Sequence, residues 1–161
     1  MSNIKIRNID PLDYSQIIPV VNEWWGGRQM AGMLPKLFFE HFQETGFVAK
    51  QDGDIVGFLV GFVSQTYRNE AYIHFVGVAP NFRKENLGRS LYECFFDTVK
   101  ARGCNLVRCV TSPVNKASIA FHKSMGFSIT PADKIIDGVA VSENYDGPGE
   151  DRVIFSKTLQ A

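Results

Sequence analysis

The sequence predicts a mixed α/β domain, and three observations carry that prediction. Short apolar segments bounded by turn residues recur at 4–7, 47–50, 55–63 and 71–78, as half-buried and buried strands require. Further on, apolar residues fall at helical spacing, most clearly at Leu87, Leu91, Cys94, Phe95 and Val99. From residue 47 the elements read as three strands, a helix, a strand, a helix and further strands, which implies a mixed sheet rather than a strict βαβ array.

Each element has its own signal. Ile4-Lys5-Ile6-Arg7 alternates and is a short strand. Asp10-Pro11 is an N-cap and first-turn pair that opens a helix towards Trp24-Trp25, where Gly26-Gly27 stops it. A second helix is expected from Pro35 to Glu44, with Leu37, Phe38 and Phe42 inward and Gly46 at its end. Phe47 to Lys50, the tight turn Asp52-Gly53 and Ile55 to Val63 make a hairpin. Asn69-Glu70 turns the chain into a third long strand, Ala71 to Val78. The next helix ends near Arg102, with Gly103 as a left-handed C′ residue. Leu106 to Val110 is a strand, and Asn115 caps a short helix with Ala117, Ala120 and Phe121 inward. Gly126 stops that helix before a strand at Phe127-Ser128-Ile129. Ile135 to Val141 is a small hairpin, and a turn at Asp146 to Gly149 leads into a final strand, Arg152 to Leu159. No linker, charge block or repeat intervenes, so residues 1–161 are read as a single domain.

Composition narrows the function classes. Seventeen basic and seventeen acidic side chains cancel, so no global field favours nucleic acid or an anionic membrane. The longest apolar run, Ile55 to Val63, is far below the ~20 residues of a bilayer-spanning helix. Met1 to Leu12 lacks the apolar segment of a secretory signal. Cys94, Cys104 and Cys109 form no CxxC pair, which suits reduced thiols in a cytoplasmic protein. His41, His74 and His122 are too dispersed for a motif such as HExxH, and no metal is expected.

The most informative stretch is Val78 to Leu91, in which a strand enters a basic, small-residue loop and then a helix. Unpaired amides and the positive end of the helix dipole favour phosphate at such a turn. Arg83, Lys84 and Arg89 would oppose the dipole unless an anion lay among them. A merely solvated helix start is the plain alternative.

Two motifs, Arg83-x-x-Asn86-x-Gly88 and Asn115-x4-Ala120-Phe121-His122-x3-Gly126-Phe127, together resemble the GCN5-related N-acetyltransferase (GNAT) family. The resemblance implies a mostly antiparallel central sheet of about seven strands flanked by about four helices. It also implies acetyl-CoA as acyl donor and a small-molecule or peptide primary amine as acceptor. By position, the pyrophosphate would meet Arg83, Lys84, Glu85, Asn86, Leu87, Gly88 and Arg89, with Ser90 in the first helical turn. The pantetheine arm would follow the strand at Val76 and Val78, bordered by Asn115 and Phe121. Asn86 stands where the family usually has glycine: a positive φ suits Asn, whereas a need for bare backbone would weaken binding.

An alkyl ammonium titrates near ~10 and needs a base at neutral pH. Strand alternation puts Tyr72, His74, Val76 and Val78 on one face, so His74 is the candidate base, with Tyr72 beside it. An amide near Val78 would stabilise the oxyanion. The family often uses a tyrosine on the later helix to protonate the thiolate. His122 takes that position here and is the candidate acid. Trp24, Trp25 and Arg28 are acceptor-side candidates, as is Tyr145, a second possible proton donor on a late loop of acidic cast. Each has a structural alternative, the histidines and tryptophans as packing residues and the acidic loop as solvated surface. The competing function is an acyl-CoA-binding sensor or interaction domain with little catalysis, motivated by Asn86 and the missing tyrosine. The late hairpin and final strand are the candidate surface for a homodimer.

Overall fold

Turn chemistry and alternation set the first half of the sheet. In this computed structural model β1 (Ile4–Asn8), β2 (Phe47–Gln51), β3 (Asp54–Val63) and β4 (Glu70–Val78) pair antiparallel in that order. Residues 3–160 are described; Met1, Ser2 and Ala161, included in the single-domain reading, lie outside them. Asp52 and Gly53 adopt φ of 50° and 89°, the positive values that a two-residue hairpin turn demands. β5 (Leu106–Thr111) joins β4 in parallel. β9 (Val153–Thr158) pairs antiparallel with β5, and β6 (Ser128–Ile129) lies beyond it. The resulting seven-stranded sheet has one parallel pair, the mostly antiparallel architecture expected. β7 (Lys134–Ile136) and β8 (Val139–Val141) form a separate hairpin.

Among the described residues four α-helices flank the sheet: α1 (Asp13–Trp24), α2 (Leu37–His41), α3 (Leu87–Ala101) and α4 (Lys116–Ser124). Neighbouring residues of a strand serve opposite faces. Val48, Phe58 and Val60 therefore pack with Ile17, Val21, Phe38 and Phe39 of α1 and α2. Ala49 and Leu59 pack with Leu91, Phe95 and Val99 of α3, in the cluster that also holds Ile119 of α4. Among the described residues no helix is long and apolar enough to cross a membrane.

Several local expectations are corrected. The helix expected over 35–44 is a short α2 followed by a 3-10 turn at Gln43–Thr45. Phe38 is buried as expected and Phe42, just past the helix, packs half-buried on the same cluster. But Phe39 is buried too and Leu37 is 46% exposed, because a five-residue helix buries adjacent side chains rather than a stripe. On α4 the buried residues are Ile119 and His122, with Ala117 and Ala120 exposed and Phe121 half-buried. The alternation of β4 also breaks. Ile73 pairs with Gly61 and Phe75 with Val60, leaving His74 as an unpaired bulge residue. Beyond the bulge the faces exchange: Val76 and Val78 pack with the α3 cluster, as Ala71 and Ile73 do, while Phe75 packs with the α1 cluster.

Candidate active site

The sheet parts where the sequence motifs converge. β4 and β5 pair only through Glu70, Ala71 and Tyr72 against Leu106, Val107 and Arg108. Past that point β4 continues to Val78 and β5 to Thr111, and a wedge opens between them. One cavity of about 680 Å³ extends from the wedge to the start of α3. A second, of about 710 Å³, lies on the side of Tyr72 and His74. Trp25, Val76, Tyr92, Asn115, Ser118 and His122 border both.

The first cavity ends on an anion-receptive turn. Asn86 sits at φ 57° and ψ 22°, left-handed, immediately before α3. That conformation is the one in which Asn replaces glycine at least cost. Ser90 N–H bonds Asn86 O at 3.0 Å, so the amides of the preceding first turn have no acceptor one turn back within the helix. A Cβ built on Gly88 would approach Phe121 no closer than 3.6 Å, an ordinary contact, so packing by itself does not demand glycine there. Arg83 and Arg89 line this end. Arg83 is partly committed elsewhere, since Nε donates to Val78 O at 3.1 Å and a terminal nitrogen donates to Trp24 O. It thereby ties the end of β4 to the end of α1. Leu87 is buried in the core, and Lys84, Glu85 and Ser90 do not line the cavity.

On the acceptor side, His74 donates from Nε2 to Met33 O at 2.6 Å and stacks on Phe38 with ring centroids 4.4 Å apart. A carbonyl can only accept, so this contact places the proton on Nε2 and leaves Nδ1 with its lone pair. Burial pushes the Tyr72 phenol up, which keeps it protonated. Asn22 Oδ1 accepts from the amides of Met30 and Ala31 at 2.7 and 2.8 Å, fixing the loop that carries Arg28. Trp25 stacks on Phe75 at 4.9 Å, while the more buried Trp24 stacks on Phe58. Gly77 makes this packing possible, because a Cβ there would meet Trp25 at 3.0 Å. Arg28 lies exposed at the border of both cavities. Tyr145 is 49% exposed and lines neither. Its neighbour Asp146 and Glu150 do line the second, each paired to Arg152 at 2.7 and 3.3 Å.

Where the cavities meet, His122 and Tyr92 form a buried pair. Tyr92 Oη and His122 Nε2 lie 2.8 Å apart, and His122 Nδ1 lies 2.7 Å from Ser118 O. Burial lowers the imidazole pKa, opposed by the Ser118 carbonyl, and raises that of the phenol. Asn115 holds the start of α4 through its own cap, Oδ1 accepting from Ser118 N–H at 3.1 Å. Tyr92 is a cavity-lining residue that sequence reasoning missed, as are Ser118 and Arg152. The signal for Tyr92 was phase, since it lies four residues after Gly88 and three before Phe95, and a buried phenol needs a polar partner. Among the described residues no group of three or more His, Cys, Asp and Glu side chains could hold a metal.

The acetyltransferase (GNAT) family model matches residues 14–127, from the first turn of α1 through the turn before α3 to the end of α4. The chain belongs to the GNAT family. It is 29% identical over 89 residues to the L-2,4-diaminobutyric acid acetyltransferase of Shouchella clausii (strain KSM-K16), covering 55% of this chain and 50% of that protein. This GNAT chain thus spans about half the length of the curated relatives it matches. Ard1 of Thermoplasma volcanium shares the fold at TM-score 0.78 and 23% identity, over 98% of this chain and 99% of that one. So does the diaminobutyrate acetyltransferase of Paenibacillus lautus, solved with L-2,4-diaminobutyric acid and coenzyme A. It aligns at TM-score 0.72 and 18% identity, over 97% and 95% of the two chains.

Proposed function

We propose that this GNAT chain is an N-acetyltransferase that takes acetyl-CoA as donor and passes its acetyl group directly to a primary amine. The observation that carries the reading is the wedge, into which one cavity leads from the open amides of α3 and a second from Tyr72 and His74. The residues present fit a CoA pyrophosphate. The α3 turn offers oriented N–H groups, Arg89 adds charge, and Gly88 keeps the approach open. Val76 and Val78 on the unpaired edge of β4, with Asn115 and Phe121 opposite, would border the pantetheine arm.

In this reading His74 takes the ammonium proton through Nδ1, directly or by way of water, and an amide near Val78 holds the oxyanion. Trp25, Arg28 and Tyr72 line the acceptor cavity, and Asp146 and Glu150 add two carboxylates that a cationic amine would share with Arg152. Cys109 also lines it, but burial pushes its thiol up and leaves little thiolate, which supports direct transfer over an acyl-cysteine route. The free thiols accord with a cytoplasmic setting. One of the two grounds for a binding-only domain weakens, because Asn86 occupies the left-handed conformation that suits it, while the absence of a tyrosine at position 122 still stands.

Titration of acetyl-CoA by calorimetry tests the donor site, with micromolar one-to-one binding expected, about −8 kcal/mol. CoA-thiol release would then be followed with L-2,4-diaminobutyric acid, a polyamine and an alanine-initiated peptide as acceptors. No binding at millimolar acetyl-CoA would overturn the donor site. Binding without release for any amine would favour the sensor.

A further inference from the structure

Among the described residues, the buried polar pair at the cavity junction is the feature that the reading above does not yet use. Ser118 O, 2.7 Å from His122 Nδ1, is a carbonyl and can only accept, so Nδ1 carries the imidazole proton. Nε2 is then a bare lone pair, and at 2.8 Å it must accept the Tyr92 hydroxyl proton. The resting order is Tyr92 O–H to His122 Nε2, then His122 Nδ1–H to Ser118 O. Two consequences follow. His122 has no proton on the nitrogen that faces Tyr92, so in this state it cannot act alone as an acid through that nitrogen. The Tyr92 oxygen has already committed its own hydrogen and keeps lone pairs that can accept another, on a buried residue that borders both cavities.

We propose that Tyr92 and His122 work as one proton shuttle, Tyr92 being the catalytic residue at the junction and His122 the positioning residue that stores the proton behind it. The inference rests on the acetyl transfer proposed above. As the amine nitrogen lone pair makes the new C–N bond, Tyr92 oxygen takes the surplus N–H proton and passes its own to Nε2. When the C–S bond breaks, its electron pair stays on sulfur. The same chain then runs backwards, Tyr92 giving a proton to sulfur and recovering one from Nε2. The amine has lost one proton, the thiol has gained one, and both side chains return to their starting states. Burial fixes the resting state: the phenol is pushed up and does not ionise, and the imidazole is pushed down and rests neutral, so the proton it stores is held only transiently and is readily returned to Tyr92. The aromatic walls, Phe155 stacked on His122 at 4.5 Å and Phe127 at 5.2 Å, keep the stored proton away from water.

The test has two arms. In the first, ¹⁵N NMR of the imidazole is recorded without any substrate, for wild type and for Tyr92→Phe, which keeps the ring. The shuttle requires a protonated Nδ1 and an acceptor-type Nε2 whose resonance moves on removal of the phenol oxygen. A proton on Nε2 in the wild type would overturn it. In the second, whichever amine gives turnover is used with Tyr92→Phe, His122→Gln and the double variant. We expect kcat to fall at least about a hundredfold in each single variant, with acetyl-CoA affinity changed less than about threefold and the double variant no slower than the singles, as groups acting as a unit behave. Tyr92→Phe turning over at the wild-type rate would overturn the proposal and leave His122 acting alone. Multiplying losses in the double variant would overturn it too, by showing separate roles. If wild type releases no CoA with any amine while the imidazole has the required tautomer, the acetyl-transfer reading fails and the paired geometry stands. That result overturns the shuttle as a catalytic device.

Discussion

At Gly88 two demands oppose each other within one residue. In the first turn of a helix glycine costs up to about 1 kcal/mol relative to alanine, and nothing in the surrounding protein forbids a Cβ, whose nearest contact would be 3.6 Å. The side that would suffer is the one from which a phosphate approaches the amides of α3. Gly88→Ala should therefore raise the melting temperature by a degree or more while weakening CoA binding about tenfold or more, as scanning calorimetry and titration would show. If stability and affinity move together, glycine is retained there for the fold and not for the ligand. Asn86 differs, since its requirement is a backbone conformation, φ 57°, rather than space. Both residues stand out in the sequence as small or turn-forming residues between a basic loop and an apolar helix. Tyr92 does not stand out, because one phenol in an amphipathic stripe looks like packing until its hydroxyl partner on another helix is known.

The elements inherit their precision from polar contacts at their ends. α1 is assigned from Asp13, not from Asp10 and Pro11. Even so, Asp10 Oδ1 accepts from Leu12 N–H at 2.9 Å and Asp13 Oδ2 from Asp10 N–H at 2.8 Å, a reciprocal cap around the predicted start. Arg7 of β1 grips the same Asp13 through two bonds of 2.8 Å. Burial pushes the Asp13 carboxyl up, but the Arg7 bonds and the Asp10 amide outweigh it and hold the carboxyl below its usual range. Arg7→Ala leaves a buried carboxylate without its cation. Because the Arg7 side chain is 44% exposed, the expected loss is about 1–3 kcal/mol, below that of a fully buried pair. Urea denaturation measures it directly. Asp13 binds its proton less readily folded than unfolded, so its contribution is present above the ordinary carboxylate pKa of ~3.9 and is lost as pH falls through the folded value. An unchanged urea midpoint in Arg7→Ala would remove this bond from the account of α1.

Across the whole molecule, His122 links the core to pH. Tyr92 of α3, Ser118 of α4, Cys109 of β5 and Phe155 of β9 close around it or border the same cavity. Burial holds its pKa below the ordinary ~6.5, so the unfolded chain binds more protons in the window between the folded value and ~6.5. Stability therefore rises with pH through that window and falls as pH drops below ~6.5, at no more than about 1.4 kcal/mol per pH unit for this group. Melting curves of wild type and His122→Gln between neutral and mildly acidic pH should diverge, with the wild type steeper. Parallel curves would show that His122 does not titrate as its surroundings require.

The sequence by itself determined the sheet's elements, the stops of α1, α3 and α4, the left-handed turn before α3 and the resemblance to a family. All of these are local: periodicity, capping and turn residues act within a few positions of the chain and are written there. Only the tertiary structure decided the bulge at His74, which exchanges the faces of β4, and the parting of β4 from β5 past Tyr72. It also decided that Arg83 spends part of its guanidinium on Trp24 and Val78, and that Tyr92 meets His122. Each depends on a partner far along the chain. A hydrogen bond between residues 30 apart leaves no periodic trace, because either side chain alone satisfies the pattern of its own element.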